Sequence, residues 1–322
     1  MKLLKIILLF IGVLVSVSCE DDLNPFGEPD EKLILNCVLG GDRDTQIANF
    51  SRSYYVDNFD PYSYTDDNVI GDAHIRVWFE DSVKIFNDTI AQPGEGSKYE
   101  KPLKFYYHNS FVPAPDTDYE IEAALPDGRK LKSITHSPKL VKFSAAQSDT
   151  IIPPLEKDFV LIRWRSFEET PLYAASKFTF IYFKRENGIN IRYVKDIPHK
   201  YEKHNGKNVP FFPEPSYISS IDVPLLTFET ALEEIWDGVT PKEDYTILAF
   251  ILETIIYDQN LTSYYASKAE LEEGFSITVN EANYTNIEGG IGIFGSYIKQ
   301  YRAIKFSHDY IRSFGYTPGL TE

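Results

Sequence analysis

The chain has 322 residues, a formal net charge of −16, and 43% hydrophobic and 15% aromatic content. So acidic a surface repels phosphate backbones and acidic glycans, which argues against nucleic acid as a partner. The apolar content is enough for a sizeable core. Beyond a short leader, about 290 residues point to two domains.

Residues 1–18 read as an export signal. Lys2 and Lys5 precede an apolar run at 6–17, which ends in the small residues Ser16-Val17-Ser18. The run falls short of the roughly 20 apolar residues a spanning helix needs. Cys19 follows at once, as in a bacterial lipoprotein signal, where that cysteine receives palmitate-type acyl chains and becomes the new N-terminus. Ser16 stands where most such signals carry Leu, and Ser16 with Ser18 also satisfies ordinary secretory cleavage. Plain secretion would leave an unpaired thiol in an oxidising compartment, so lipidation of Cys19 is expected. Several acyl chains hold a protein to a membrane where one would not. Glu20, Asp21 and Asp22 resemble the export tag that sends lipoproteins of Bacteroidota to the outer face of the outer membrane. They also begin a solvated tether, residues 19–31.

From Lys32 the pattern becomes short alternating runs broken by polar turns, the mark of a β-sandwich or barrel. Strands are expected at 32–39, 46–55, 74–80, 84–90, 103–107, 118–125 and 129–135. The last two flank Pro126-Asp127-Gly128, a hairpin signal. Cys37 shares a face with Leu33, Leu35 and Leu39, which makes it a buried, inert thiol. About seven strands in this length give an immunoglobulin-like domain, residues 32–140.

Alternation restarts at 159–165, with Val160, Ile162 and Trp164 on one face. Strands follow at 177–185, 189–195 and 217–223, with a polar loop at 200–216. Residues 228–236 have helical spacing, 245–257 reads as a central strand, 260–273 as a helix, and 291–306 closes the domain. Residues 141–322 are thus expected as a fibronectin-type-III-like sandwich with two helices. The fold class is mainly β, two tandem β-sandwiches after a lipoprotein signal and tether.

A family resemblance rests on the acidic tether and first strand, then Ser51-Arg52-Ser53, then residues 70–77 from Ile70-Gly71-Asp72 to Val77. It continues in Asp116-Thr117-Asp118-Tyr119-Glu120-Ile121 with its Pro-Asp-Gly hairpin, and in residues 286–295 from Asn286-Ile287 to Phe294-Gly295. Together these resemble the Bacteroidota lipoproteins catalogued as domain-of-unknown-function family 4249, over most of the mature chain. The resemblance implies a TonB-dependent outer-membrane receptor as partner. It implies no activity and no catalytic residues.

The remaining motifs are weighed on chemistry. Residues 290–295 fit G-x-G-x-x-G but lack the following βαβ unit, so they read as a bulged strand with close backbone approach. No Gly-x-Ser-x-Gly elbow occurs, and no metal-ligand spacing involves His199 and His204. The stretch 54–68 carries Tyr54, Tyr55, Phe59, Tyr62 and Tyr64, too aromatic for an idle loop, and is the candidate contact surface. Its Asp57, Asp60, Asp66 and Asp67 are oxygen ligands of the type calcium takes, without the EF-hand order. Ser82, Thr89 and Thr150 stand in Asp-Ser/Thr-aliphatic triplets that resemble Bacteroidota O-glycosylation acceptors. The reading is a non-enzymatic lipoprotein without cofactor, anchored at the cell surface and assisting a TonB-dependent receptor. The alternative is a surface adhesin or glycan-binding sandwich.

Overall fold

The computed structural model describes residues 31–54, 68–94, 102–144, 151–204, 206–273 (side chains to 268) and 284–319. Alternation of apolar and polar residues becomes strand wherever one face is buried and the other meets water. The first group comprises β1 (Leu33–Gly40), β2 (Gln46–Arg52), β3 (His74–Phe79), β4 (Ser82–Ala91), β5 (Leu103–His108), β6 (Asp118–Ala124) and β7 (Lys130–His136). Next come β8 (Lys142–Ser144), β9 (Ile151–Ile152), β10 (Phe159–Arg165), β11 (Ala174–Glu186), β12 (Ile189–Ile197), β13 (Lys200–His204), β14 (Lys207–Phe211) and β15 (Ser220–Pro224). Helix α1 (Leu225–Glu234), β16 (Tyr245–Tyr257), helix α2 (Gln259–Glu273), β17 (Ile291–Phe306), helix α3 (His308–Ser313) and β18 (Thr317–Pro318) complete the order. The fold is mainly β.

The large sheet runs β12-β11-β16-β17-β1-β2-β5-β4-β3-β6-β7, with β18 beside β16 and β9 beside β17. Strands β4 and β17 change partners along their length. In β4, residues from Ser82 to Phe86 pair with β3, while those from Asn87 to Ala91 pair with β5. A strand shared in this way turns the corner between two layers. In β17, Ile291 to Tyr297 pair in parallel with β1, and Tyr297 to Ile304 pair antiparallel with β16. At about 3.3 Å per residue this one strand reaches roughly 50 Å.

Each half of β17 serves a different core. The inward faces of β1, β2, β3, β5 and β6 meet around Leu35, Phe50, Ile75, Tyr106 and Tyr119, joined by Phe294 of β17. The second core gathers Val160, Ile162, Phe178, Phe228, Phe250 and Ile304 from β10, β11, α1, β16 and β17. Here the small sheet β15-β10-β8 and α1 supply apolar faces that meet those of β11 and β16. Cys37 is buried in the first core beside Leu33, Leu35 and Leu39, as its alternation predicts. Burial pushes its thiol up to about 12, with Arg43 pulling slightly the other way, so it is not a nucleophile at neutral pH.

Three local expectations change. Residues 200–216 include a hairpin, β13 with β14, rather than loop throughout. Its two strands are exposed on nearly every residue, so no burial alternation marks them in the sequence. The first helix starts at Leu225, behind Pro224, and ends before Trp236. That indole instead donates to the Thr240 carbonyl at 2.8 Å. The glycine segment 290–295 is not bulged, since its register against β1 is continuous from Ile291 to Tyr297. Its close backbone approach is as expected. A Cβ on Gly290 would lie 2.5 Å from the Leu33 carbonyl oxygen.

Candidate functional site

The site is built by a turn. Leu125 N–H donates to the Arg129 carbonyl and Gly128 N–H to the Leu125 carbonyl, with Gly128 at φ +91°, a conformation open to glycine. This turn sets β6 against β7 so that Glu122 faces Lys132, Glu120 faces Ile134 and Asp118 faces His136. On the other side of β6, Arg76 faces Glu122 and Trp78 faces Glu120. Tyr119, Ile121, Leu131 and Thr135 point inward, which leaves these rows on the outer face of the sheet.

The rows differ in charge balance. Glu122 is matched by Lys130 at 3.4 Å and Lys132 at 3.3 Å. Burial works against its charge, but the two lysines outweigh it and hold the carboxyl below its usual range. His136 donates from Nδ1 to Asp118 at 2.7 Å and from Nε2 to Asp116 at 3.1 Å. Partial burial opposes its protonation, yet the two carboxylates prevail and raise its pKa above the ordinary histidine value. The middle row, Trp78-Glu120-Ile134, has no cation. Among the described residues Glu120 has no hydrogen-bond or ion-pair partner. Ile134 beside it is 72% exposed.

A cavity of about 540 Å³ opens over this row, walled by Trp78, Glu80, Glu120, Ile134 and His136 and reaching Gln259 and Asn260 of α2. Glu80 sits in the two-residue turn between β3 and β4 at φ +47°, a region side chains other than glycine rarely adopt. Thr135 also lines the cavity, and its hydroxyl donates to the buried carboxylate of Asp258. Asp258 also accepts from Leu261 N–H at 2.7 Å, which caps α2, and from both the backbone and the hydroxyl of Ser296. Asn260 donates to the Ile134 and Phe294 carbonyls. The cavity is therefore held by β7, β17 and α2 together. Rigid support of this kind favours binding with little reorganisation.

Of the sequence-predicted site residues, Tyr54 is exposed, Ser82 is exposed at the start of β4, and Thr89 is half-buried near its end. Cys19, Glu20, Asp21, Asp22, Tyr55, Asp57, Phe59, Asp60, Tyr62, Tyr64, Asp66, Asp67 and Thr150 lie outside the described residues. Among the described residues no three or more His, Cys, Asp or Glu side chains are placed to hold a metal ion. None of the candidates brings the cavity into view. Its residues were legible only as a departure in the hairpin: Lys130 and Lys132 answer Glu122 across the turn, and then Ile134 stands outward opposite Glu120. Compared with known proteins, the chain matches no family model and no curated sequence.

Proposed function

We propose that the chain is a non-enzymatic lipoprotein of the outer membrane, acylated at Cys19 and displayed at the cell surface. In this reading it captures a ligand for a TonB-dependent receptor. The observation that carries the binding role is the open cavity beside β3, β6 and β7, where an indole, an aliphatic side chain and an unmatched carboxylate converge on rigid strands. A catalytic role is disfavoured by the one histidine there, since both its ring nitrogens are engaged by carboxylates. The two hydrophobic cores support a reading as two sandwich-like bodies, the first immunoglobulin-like and the second fibronectin-type-III-like with helical insertions. The family resemblance and the signal segment support the membrane setting and the receptor partner.

Cys19→Ser removes the acyl acceptor, so a fatty-acid probe fed to cells should label the parent and not the variant, with unprocessed precursor accumulating. Equal labelling would end the lipoprotein assignment. Replacing Glu20, Asp21 and Asp22 with Ala should leave labelling intact while protease added to whole cells no longer digests the protein. If both forms are digested alike, the triplet is a tether without sorting value. Affinity purification from solubilised outer membranes tests the partner, with a TonB-dependent receptor expected in the eluate.

A further inference from the structure

We propose that the cavity beside β3, β6 and β7 binds the ammonium end of a lysine side chain carried on a peptide, between Glu120, Glu80 and the ring of Trp78. This rests on the reading of that cavity as the binding site, and it names what the site takes. The walls sort by chemistry. Trp78 and Ile134 flank Glu120 as direct cross-strand neighbours, so an apolar stem entering over them brings a terminal charge to the carboxylate. A cation beside an indole face is held by the ring's quadrupole as well as by the counter-charge. A compact charge on an apolar stem is what a lysine side chain offers.

The balance of charge excludes an anion. The basic side chain on the cavity wall, His136, is already shared between Asp116 and Asp118. Glu80 and Glu120 remain without ion pairs among the described residues. The neighbouring row shows what the same strands do when no ligand is needed. There Glu122 is answered by Lys130 and Lys132 from within the chain. Glu80 takes the positive φ that its two-residue turn demands, a conformation a glycine would adopt without cost. A cavity of about 540 Å³ is larger than one lysine side chain, which leaves room for the flanking residues of a peptide.

The test uses the mature chain expressed from position 19 with Ser in place of Cys19, titrated calorimetrically with a capped Gly-Lys-Gly peptide. Saturable binding is expected. The same peptide with its lysine acetylated should bind at least tenfold more weakly, because the charge is gone. Glu120→Gln should weaken binding of the parent peptide about tenfold with an unchanged melting temperature, as its side chain faces outward. Glu80→Gly should weaken binding while the melting temperature rises. Competition by 1,4-diaminobutane as effective as the peptide would support the ammonium chemistry and assign it to free amines. Equal affinity for the acetylated peptide, or full affinity in Glu120→Gln, overturns the proposal. Receptor co-purification is read separately. A receptor in the eluate without lysine binding would sink this inference and leave the surface function standing.

Discussion

Asp258→Ala should lower the stability of the fold by about 3–5 kcal/mol. Asp258 is 1% exposed, and its carboxylate receives the Leu261 and Ser296 backbone N–H groups together with the hydroxyls of Thr135 and Ser296. The hydroxyls can turn to other acceptors, but the two N–H groups cannot. Each stranded buried donor costs about 1–3 kcal/mol, and loss of the helix cap adds about 1 kcal/mol. Relief of charge burial offsets part of this. Asp258→Asn keeps one acceptor and should cost less than the alanine variant. Denaturant titration of both against the parent measures the order, and an alanine variant as stable as the parent would refute the account.

The same carboxyl makes a pH prediction. Burial raises it, the four hydrogen bonds pull it part of the way back towards its ordinary value of 3.8, and the result is about 6. Between those values the folded chain holds a proton that the unfolded chain has lost. Its contribution to stability therefore falls as pH rises from about 4 to about 6 and is level above that, by about 3 kcal/mol in all. In the asparagine variant this term is absent. The stability difference, parent minus variant, should shrink across that window, and a difference that stays flat or grows would show that the carboxyl is not raised.

Gly292→Val should cost about 3 kcal/mol or more, from left-handed backbone and overpacking together. Gly292 has φ +122°, and a Cβ there would lie 2.1 Å from the Leu35 carbonyl oxygen and 2.8 Å from its carbon. Both atoms belong to β1, which Gly292 faces directly in the parallel pairing. Neither backbone can move aside without opening the register that joins β1 to β17. Gly71→Ala is the control, because nothing lies within 4 Å of the Cβ it would add. Melting temperatures of the two variants should separate by many degrees. A Gly292 variant that melts with the Gly71 variant would show that β17 tolerates displacement from β1.

Strands whose two faces meet different surroundings were legible in the sequence. Ile75 and Val77, or Val160, Ile162 and Trp164, alternate because water lies on one side and a core on the other. The hairpin at 200–211 was not, because both its faces meet water and no alternation records it. The face that lines the cavity was half legible. Asp118, Glu120 and Glu122 announce an outward row on one strand, but only the turn at Gly128 determines which residue of β7 stands opposite each. Asp258 carried no signal beyond a helix cap. Its other partners, Thr135 and Ser296, are 123 and 38 residues away along the chain.

By itself the sequence determined the β character of the fold, the inward placing of Cys37, and the close backbone approach in the glycine segment 290–295. Each of these follows from local chemistry or from a period along one strand. The tertiary structure alone decided that β1 pairs in parallel with β17, that β17 serves two cores, and that an unmatched carboxylate lies between Trp78 and Ile134. Those depend on which strands become neighbours. Strand adjacency is set by burial summed over the whole chain, and a single strand's pattern specifies its faces without naming its partners.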